Sequence, residues 1–379
     1  MTPLLRKLFG MNWLLIALML ALAIFGVIAI YSCTHMRETA AYHTMWRKQS
    51  VWVAISTVGF FVVSLINYRW VRWGALPMYL LGITFLILTL VMGITLEGAK
   101  SWLALGPVQF QPAQFAVLSG VIVLALFLSQ FRTLHPILKV LAAGVMAGAP
   151  ALLILLQPDF GETMVWAPVV FIMLFISRVP LRYLIVIVLL GTIALPLGYH
   201  FKMKGYQQRR IISFIDPEID PQGASWAVNR TLIAIGSGGF SGKGFDAPNS
   251  EVALGYVPRT TVPNDYIFAA VGEQWGFIGG LALISAFALL LMTCVFVGFN
   301  ATDELGLLLC TGIAGLIFTH TFQNIAMTVS LMPVTGVPLP LISYSGSFVA
   351  VIMFGLGVVN SVWIHRKDRS GAPAKERAL

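Results

Sequence analysis

Two carboxylates stand at the head of one long apolar run: Asp265, within Asn264-Asp265-Tyr266-Ile267-Phe268, and Glu273. Eight residues at roughly 100° each leave them about 80° apart around a helix, so one helix through both would aim them in similar directions. An acid just inside lipid is costly unless it is paired or put to use, and a positioned carboxylate can take the proton from an attacking hydroxyl. The structural alternative for Asp265 is helix capping. Along the same run, Ala269, Gly272, Gly276 and Gly280 form a small-residue stripe suited to close helix packing.

Other clusters invite chemistry to different degrees. Gly238-Gly239-Phe240-Ser241-Gly242-Lys243-Gly244 resembles a phosphate loop but lacks the first Gly and the final Ser or Thr of a Walker motif, having Ser237 and Gly244 there. It reads as a flexible turn, or as backbone N–H groups beside Lys243 that meet a phosphate. Gln157-Pro158-Asp159-Phe160-Gly161-Glu162 makes a tight turn with two acids, which helix capping also explains. His320, Gln323, Asn324 and Met327 share one helical face, either as interhelical hydrogen-bonding groups or as the lining of a polar cavity. The stretch from Pro333 to Tyr344 carries Pro333, Pro338 and Pro340 among apolar residues, making a stiff, partly embedded wall for a lipidic ligand. Cys33, Cys294 and Cys310 show no CxxC spacing and read as buried apolar residues.

The elements that must position these groups are membrane helices. The chain is 58% hydrophobic and only 10% charged, against about 25% charged residues in soluble domains. About ten apolar runs of the length that a bilayer demands lie near 12–32, 50–66, 76–95, 112–130, 138–156, 163–177, 183–200, 265–298, 305–331 and 345–364. The sixth is short enough to be tilted or broken, and the eighth and ninth are long enough to carry a break. The fold class is therefore all-α: a polytopic membrane protein, residues 1–379 as one domain, with a long loop at 201–264 and a tail at 366–379. Although the net charge is +9, the cations are scattered, which argues for membrane lipids and anionic lipid-linked substrates rather than nucleic acid. With an even span count both ends share a side. The short loops on that side hold Arg6, Lys7, Arg69, Arg72, Arg132 and Lys139 among others, whereas the opposite short loops hold only Arg37, Arg47, Lys48 and Lys100. Both termini are expected in the cytoplasm and 201–264 outside. Within that loop, Trp226 to Ile235 has the spacing of an amphipathic interfacial helix.

The ordered motifs resemble the SEDS family (shape, elongation, division and sporulation) of bacterial membrane proteins, over nearly the whole chain. They are Gly98-Ala99-Lys100-Ser101-Trp102, Phe110-Gln111-Pro112, Gln157-Pro158-Asp159-Phe160-Gly161, Asp216-Pro217-Glu218-Ile219-Asp220-Pro221, Ala234 to Gly239, Gly242-Lys243-Gly244, Asp265 to Phe268 and the proline stretch. Asp-Pro-Glu and the short N-terminus favour the elongation branch. Where the family has Ser-Glu and, three residues on, Lys in the fourth span, this chain has Ala113, Gln114 and Val117. The family's Arg is Ser101. Pro258 to Asp265 is longer than the family's segment and lacks its His and Glu.

The resemblance implies a peptidoglycan glycosyltransferase that polymerises lipid II at the outer face of the bacterial cytoplasmic membrane, in cell elongation and shape maintenance. It implies Asp265 as catalytic base, and Lys100, Trp102, Asp159, Arg210, Lys243, Arg259, Glu273 and Ser343 as substrate-binding residues. No cofactor motif is visible; the family allows Mg²⁺ or Mn²⁺. Implied partners are a class B penicillin-binding protein, the transpeptidase, and other elongation-complex proteins. Two other readings stay open: a flippase for the lipid-linked precursor, although no repeated halves are evident, and a non-catalytic scaffold for the transpeptidase.

Overall fold

The structure is a computed structural model that describes all residues except 1–2, 36–39, 97–98, 107, 202–204, 217, 219–223, 259 and 368–379. Helices α1 (Pro3–Phe9), α2 (Trp13–Thr34), α3 (Ala40–His43), α4 (Met45–Leu65) and α5 (Val71–Met92) lead to strands β1 (Ile94–Leu96), β2 (Ala99–Leu105) and β3 (Val108–Phe110). There follow α6 (Pro112–Gln130), α7 (Pro136–Leu156), α8 (Phe160–Ile176), α9 (Leu181–Phe201), α10 (Gly205–Ile215), α11 (Ala224–Ser237) and α12 (Glu251–Leu254). The last are α13 (Ile267–Phe299), α14 (Glu304–Thr328) and α15 (Gly346–Ile364).

Eight of these helices are long and apolar enough to cross a membrane, and α8 and the Leu181–Ile193 part of α9 are shorter apolar helices. The ten expected runs are thus all helices. Caps fix their ends: Asn12 accepts from the Leu15 N–H, Asp159 from Glu162 and Asp303 from Gly306. Of the most apolar stretches, 83% of α14, 78% of α6 and 72% of α15 is buried, against 22% of α4 and of α7. The first three therefore form the interior of the bundle, while the others turn apolar faces outward as lipid-facing helices do. The short α8 contains Pro168 without breaking. The ninth run has no break; α14 stops at Thr328 and Ser330 takes φ 57°.

The break falls in α13, at Gly276 (φ 64°, ψ −159°). There the Gly238–Gly244 turn inserts: Lys243 N–H donates to Glu273 O (2.9 Å) and Gly244 N–H to Gln274 O (3.1 Å), while Phe277 and Ile278 N–H donate to Gly239 and Phe240 O (3.0 and 3.2 Å). Backbone groups freed by the break are satisfied by the turn, as burial requires. A methyl on Gly242 would stand 2.1 Å from the Gln274 carbonyl oxygen, and Gly242 has φ 84°, so only glycine fits. This loop-rich end also carries an antiparallel meander, β1-β2-β3, with Ile94 opposite Trp102 and Leu103 opposite Phe110. The expected interfacial helix is α11. Helix α10 and the meander were not expected; each is too short to stand out in a chain dominated by apolar runs.

Candidate functional site

Asp265 ends a turn that several helices hold in place. Its own N–H donates to Thr261 O (2.8 Å), and the Asn324 side-chain amide donates to Asp265 O and to Val337 O (2.8 Å each). One step earlier, Ser343 Oγ donates to Asn264 O and accepts from Leu339 N–H, and Tyr344 N–H donates to Pro263 O (2.8 Å). Gln49 in turn donates to Ser343 O (3.2 Å). The proline stretch and α14 therefore grip the backbone around Asp265 from two sides. Helix α13 begins at Ile267 with Tyr266, not Asp265, at its N-cap position. Nor does one helix carry Asp265 and Glu273, which corrects the expected common direction.

Arg210 of α10 meets Asp265 across Gly336. A methyl built on Gly336 would lie 3.4 Å from Asp265 Oδ2 and 3.9 Å from Arg210 Nη1. Arg210 Nη1 also donates to Val334 O (3.4 Å), and its charge acts on Asp159. Asp159 is lifted above the usual carboxylate range by desolvation. Opposing this are the Glu162 N–H, the Gln111 side chain (3.1 Å), the Arg210 guanidinium and Ser101. Asp265, Arg210 and Asp159 thus form one cluster of two carboxylates and a cation, with Gln111 and Ser101 behind it. Gln111 and Ser101 were visible only as motif positions, because nothing in their spacing announces a contact with residue 159.

The other expected residues go elsewhere. Lys243 Nζ donates to Glu273 Oε1 (2.7 Å), and Glu273 also accepts from the Glu251 and Val252 N–H groups (2.5 and 3.1 Å). That pair locks the α13 break to α12, and the turn's Lys243 and Gly244 N–H groups donate to α13, while those of Gly238, Gly239 and Gly242 bond to α11 or within the turn. Lys100 Nζ donates to Leu90 O and Val91 O (2.8 and 3.0 Å), closing the C-terminus of α5. Trp102 lies half-buried in β2, and Ser343 is the backbone tie described above. Arg259 lies outside the described residues, as do Pro217 and Ile219 to Pro221 of the Asp-Pro-Glu motif. On the polar face of α14, His320 Nε2 sits 3.8 Å from Glu162 Oε2, with both residues buried, while Asn324 serves Asp265. Gln114 bonds to Gln111 (2.8 Å) and Ser347 (3.1 Å), and Val117 is buried. The three cysteines are buried and unbridged.

Among the described residues, no group of three or more His, Cys, Asp or Glu could hold a metal ion. A Mg²⁺ or Mn²⁺ at Asp265 and Asp159 would therefore need substrate oxygens to complete its shell, which is how Mg²⁺ commonly binds.

The family model described as cell cycle protein, FtsW/RodA/SpoVE, matches residues 12–368. The chain is 32% identical over 353 residues to peptidoglycan glycosyltransferase MrdB of Escherichia coli (strain K12), covering 93% of each. It is 30% identical to peptidoglycan glycosyltransferase RodA of Treponema pallidum (strain Nichols), covering 93% of this chain and 97% of that one. Among solved structures it matches a chain from work on the coordination of polymerization and crosslinking by a peptidoglycan synthase complex, with TM-score 0.79, 26% identity and coverage of 96% and 99%. The rod shape determining protein RodA of Thermus thermophilus matches with TM-score 0.70 at 27% identity, covering 94% and 97%.

Proposed function

This chain belongs to the FtsW/RodA/SpoVE family of cell cycle proteins, and on that premise we propose that it polymerises lipid II at the Asp265–Arg210–Asp159 cluster. It is a peptidoglycan glycosyltransferase and a multi-pass membrane protein. The observation that carries the assignment of the site is the backbone grip on Asp265, by Asn324, Thr261 and the proline stretch, with Arg210 across Gly336. In the reaction, Asp265 takes the proton from the acceptor sugar hydroxyl while that oxygen bonds to the donor's anomeric carbon. The bond from that carbon to the phosphate oxygen breaks, its electron pair leaves with the lipid diphosphate, and Arg210 offsets the developing charge. A divalent cation, if held by Asp265 and Asp159, would supply further charge stabilisation. Polymerisation of labelled lipid II by the purified chain tests the reading. Asp265→Asn should abolish it with folding retained; activity within twofold of wild type would remove Asp265 from the mechanism.

The chain resides in the bacterial cytoplasmic membrane with both termini inside and the loop-rich end outside, a reading supported by the short-loop cations. That end would meet a class B penicillin-binding protein, as the likeness to a synthase complex that couples polymerization to crosslinking supports. A cysteine replacing the exposed Ser241 should react with a membrane-impermeant reagent on intact cells, whereas Ser370→Cys should not. The reverse pattern would overturn the orientation.

A further inference from the structure

A pocket opens beside the cluster, between α10, α11 and the segment that leads from α14 into the proline stretch. Arg210, Ser213, Ser225 and Asn229 supply its polar groups, and Phe214, Met332 and Val334 wall it. Ser213 and Ser225 are 8% and 2% exposed, and their hydroxyls have no hydrogen-bond partner among the described residues. A buried hydroxyl without a partner is destabilising, so two lining one pocket beside a guanidinium call for a ligand. Among the described residues, the lining holds one cation and no carboxylate. Hydroxyls, a carboxamide and a guanidinium donate together to a strong multi-oxygen acceptor. Phe214 of the lining is 37% exposed, and its chain neighbour Ile215 and Leu331, next to the lining residues Ser330 and Met332, are 75% and 72% exposed, as suits an apolar chain continuing from the anionic group.

We propose that this pocket binds the diphosphate of a lipid-linked sugar, the group that departs from the anomeric carbon, with Arg210 joining it to the cluster and Ser213, Ser225 and Asn229 as further substrate-binding residues. The proposal rests on the glycosyl-transfer reading above and adds where the leaving group sits. Arg210 lines the pocket and also stands across Gly336 from Asp265, so proton removal by Asp265 and charge acceptance in the pocket fall to neighbouring groups.

The test measures binding of farnesyl diphosphate, inorganic pyrophosphate and farnesol to the full-length protein in nanodiscs, beside lipid II polymerisation. Farnesyl diphosphate should bind more tightly than either of the others. Arg210→Gln should weaken it at least tenfold, and Ser213→Ala with Ser225→Ala at least fivefold, with farnesol unaffected. The two alanines should not lower the thermal midpoint, because they remove hydroxyls that have no partner among the described residues. Unchanged affinity in the double variant would overturn the proposal, as would equal competition by phosphatidylglycerol, which would make the pocket a headgroup site. Asp265→Asn should bind farnesyl diphosphate normally while failing to polymerise. If it polymerises but the pocket variants behave as expected, the role given to Asp265 fails and the pocket stands.

Discussion

Two places at the loop-rich end pair a carboxylate with a cation, and they are built differently. Glu273, wholly buried, is gripped through its side chain as well as its main chain: Lys243 and the N–H groups of Glu251 and Val252 occupy its carboxylate oxygens, and its carbonyl accepts from Lys243 N–H. Asp265, 8% exposed, is gripped through its backbone, by Thr261 and Asn324. A carboxylate whose oxygens are consumed by local donors holds structure together. One whose main chain is fixed while Arg210 stands across a glycine is positioned for a proton and a charged ligand.

Exchanging charges should therefore break one site chemically and the other mechanically. Asp265→Asn should cut lipid II polymerisation by about 10²-fold or more, the contribution of a general base, with the thermal midpoint nearly unchanged. Next in size, Asn324→Ala removes both donors from the Asp265 and Val337 carbonyls. It should lower kcat by about tenfold, as misplacement of a catalytic group does, while leaving the binding of farnesyl diphosphate close to wild type. Should binding fall as much as kcat, Asn324 would be holding the whole loop instead of one residue.

At the other place, Lys243→Met leaves Glu273 buried with only its backbone donors and the distant Ser237 hydroxyl. Because Lys243 keeps 20% side-chain exposure, the loss should sit at or below the low end of the cost of breaking a buried pair, about 3 kcal/mol. It should appear in the unfolding midpoint, with kcat changed less than threefold. A kcat loss comparable to that of Asp265→Asn would show that Lys243 acts on substrate. Smallest of all should be the effect of Gln114→Glu with Val117→Lys. A glutamate there adds a second carboxylate beside Glu162, and the lysine offsets it within one helical turn, so activity should stay within about threefold. Val117→Lys alone should reduce folded yield through an unpaired buried cation. A tenfold gain in the double variant would mean that the family's Lys acts on substrate.

Much of the fold was legible because lipid imposes length and composition. Every expected span is a helix, the interfacial segment near Trp226 is α11, and the break predicted for a long helix is at Gly276. Arg210 and Asp159 could be named from their motifs, but their meeting with Asp265 could not, since residues 159, 210, 265 and 336 come from four separate segments. Lys100 and Lys243 looked like ligand-binding cations because a sequence shows charge without showing the acceptor; Leu90 O and Glu273 are those acceptors. Helix α10 and the meander escaped because neither has the long apolar signature that governs the rest.

The sequence alone determined that the chain spans a membrane about ten times, which residue types head each helix, and which glycines and prolines punctuate the loops, since these follow from hydropathy and local backbone chemistry. Only the tertiary structure decided that the glycine turn fills the α13 break instead of cradling a phosphate, and that Glu273 is spent on Lys243 while Asp265 faces Arg210. Those outcomes depend on which distant backbone groups burial leaves without partners, and hydrogen bonds must then be found across the fold.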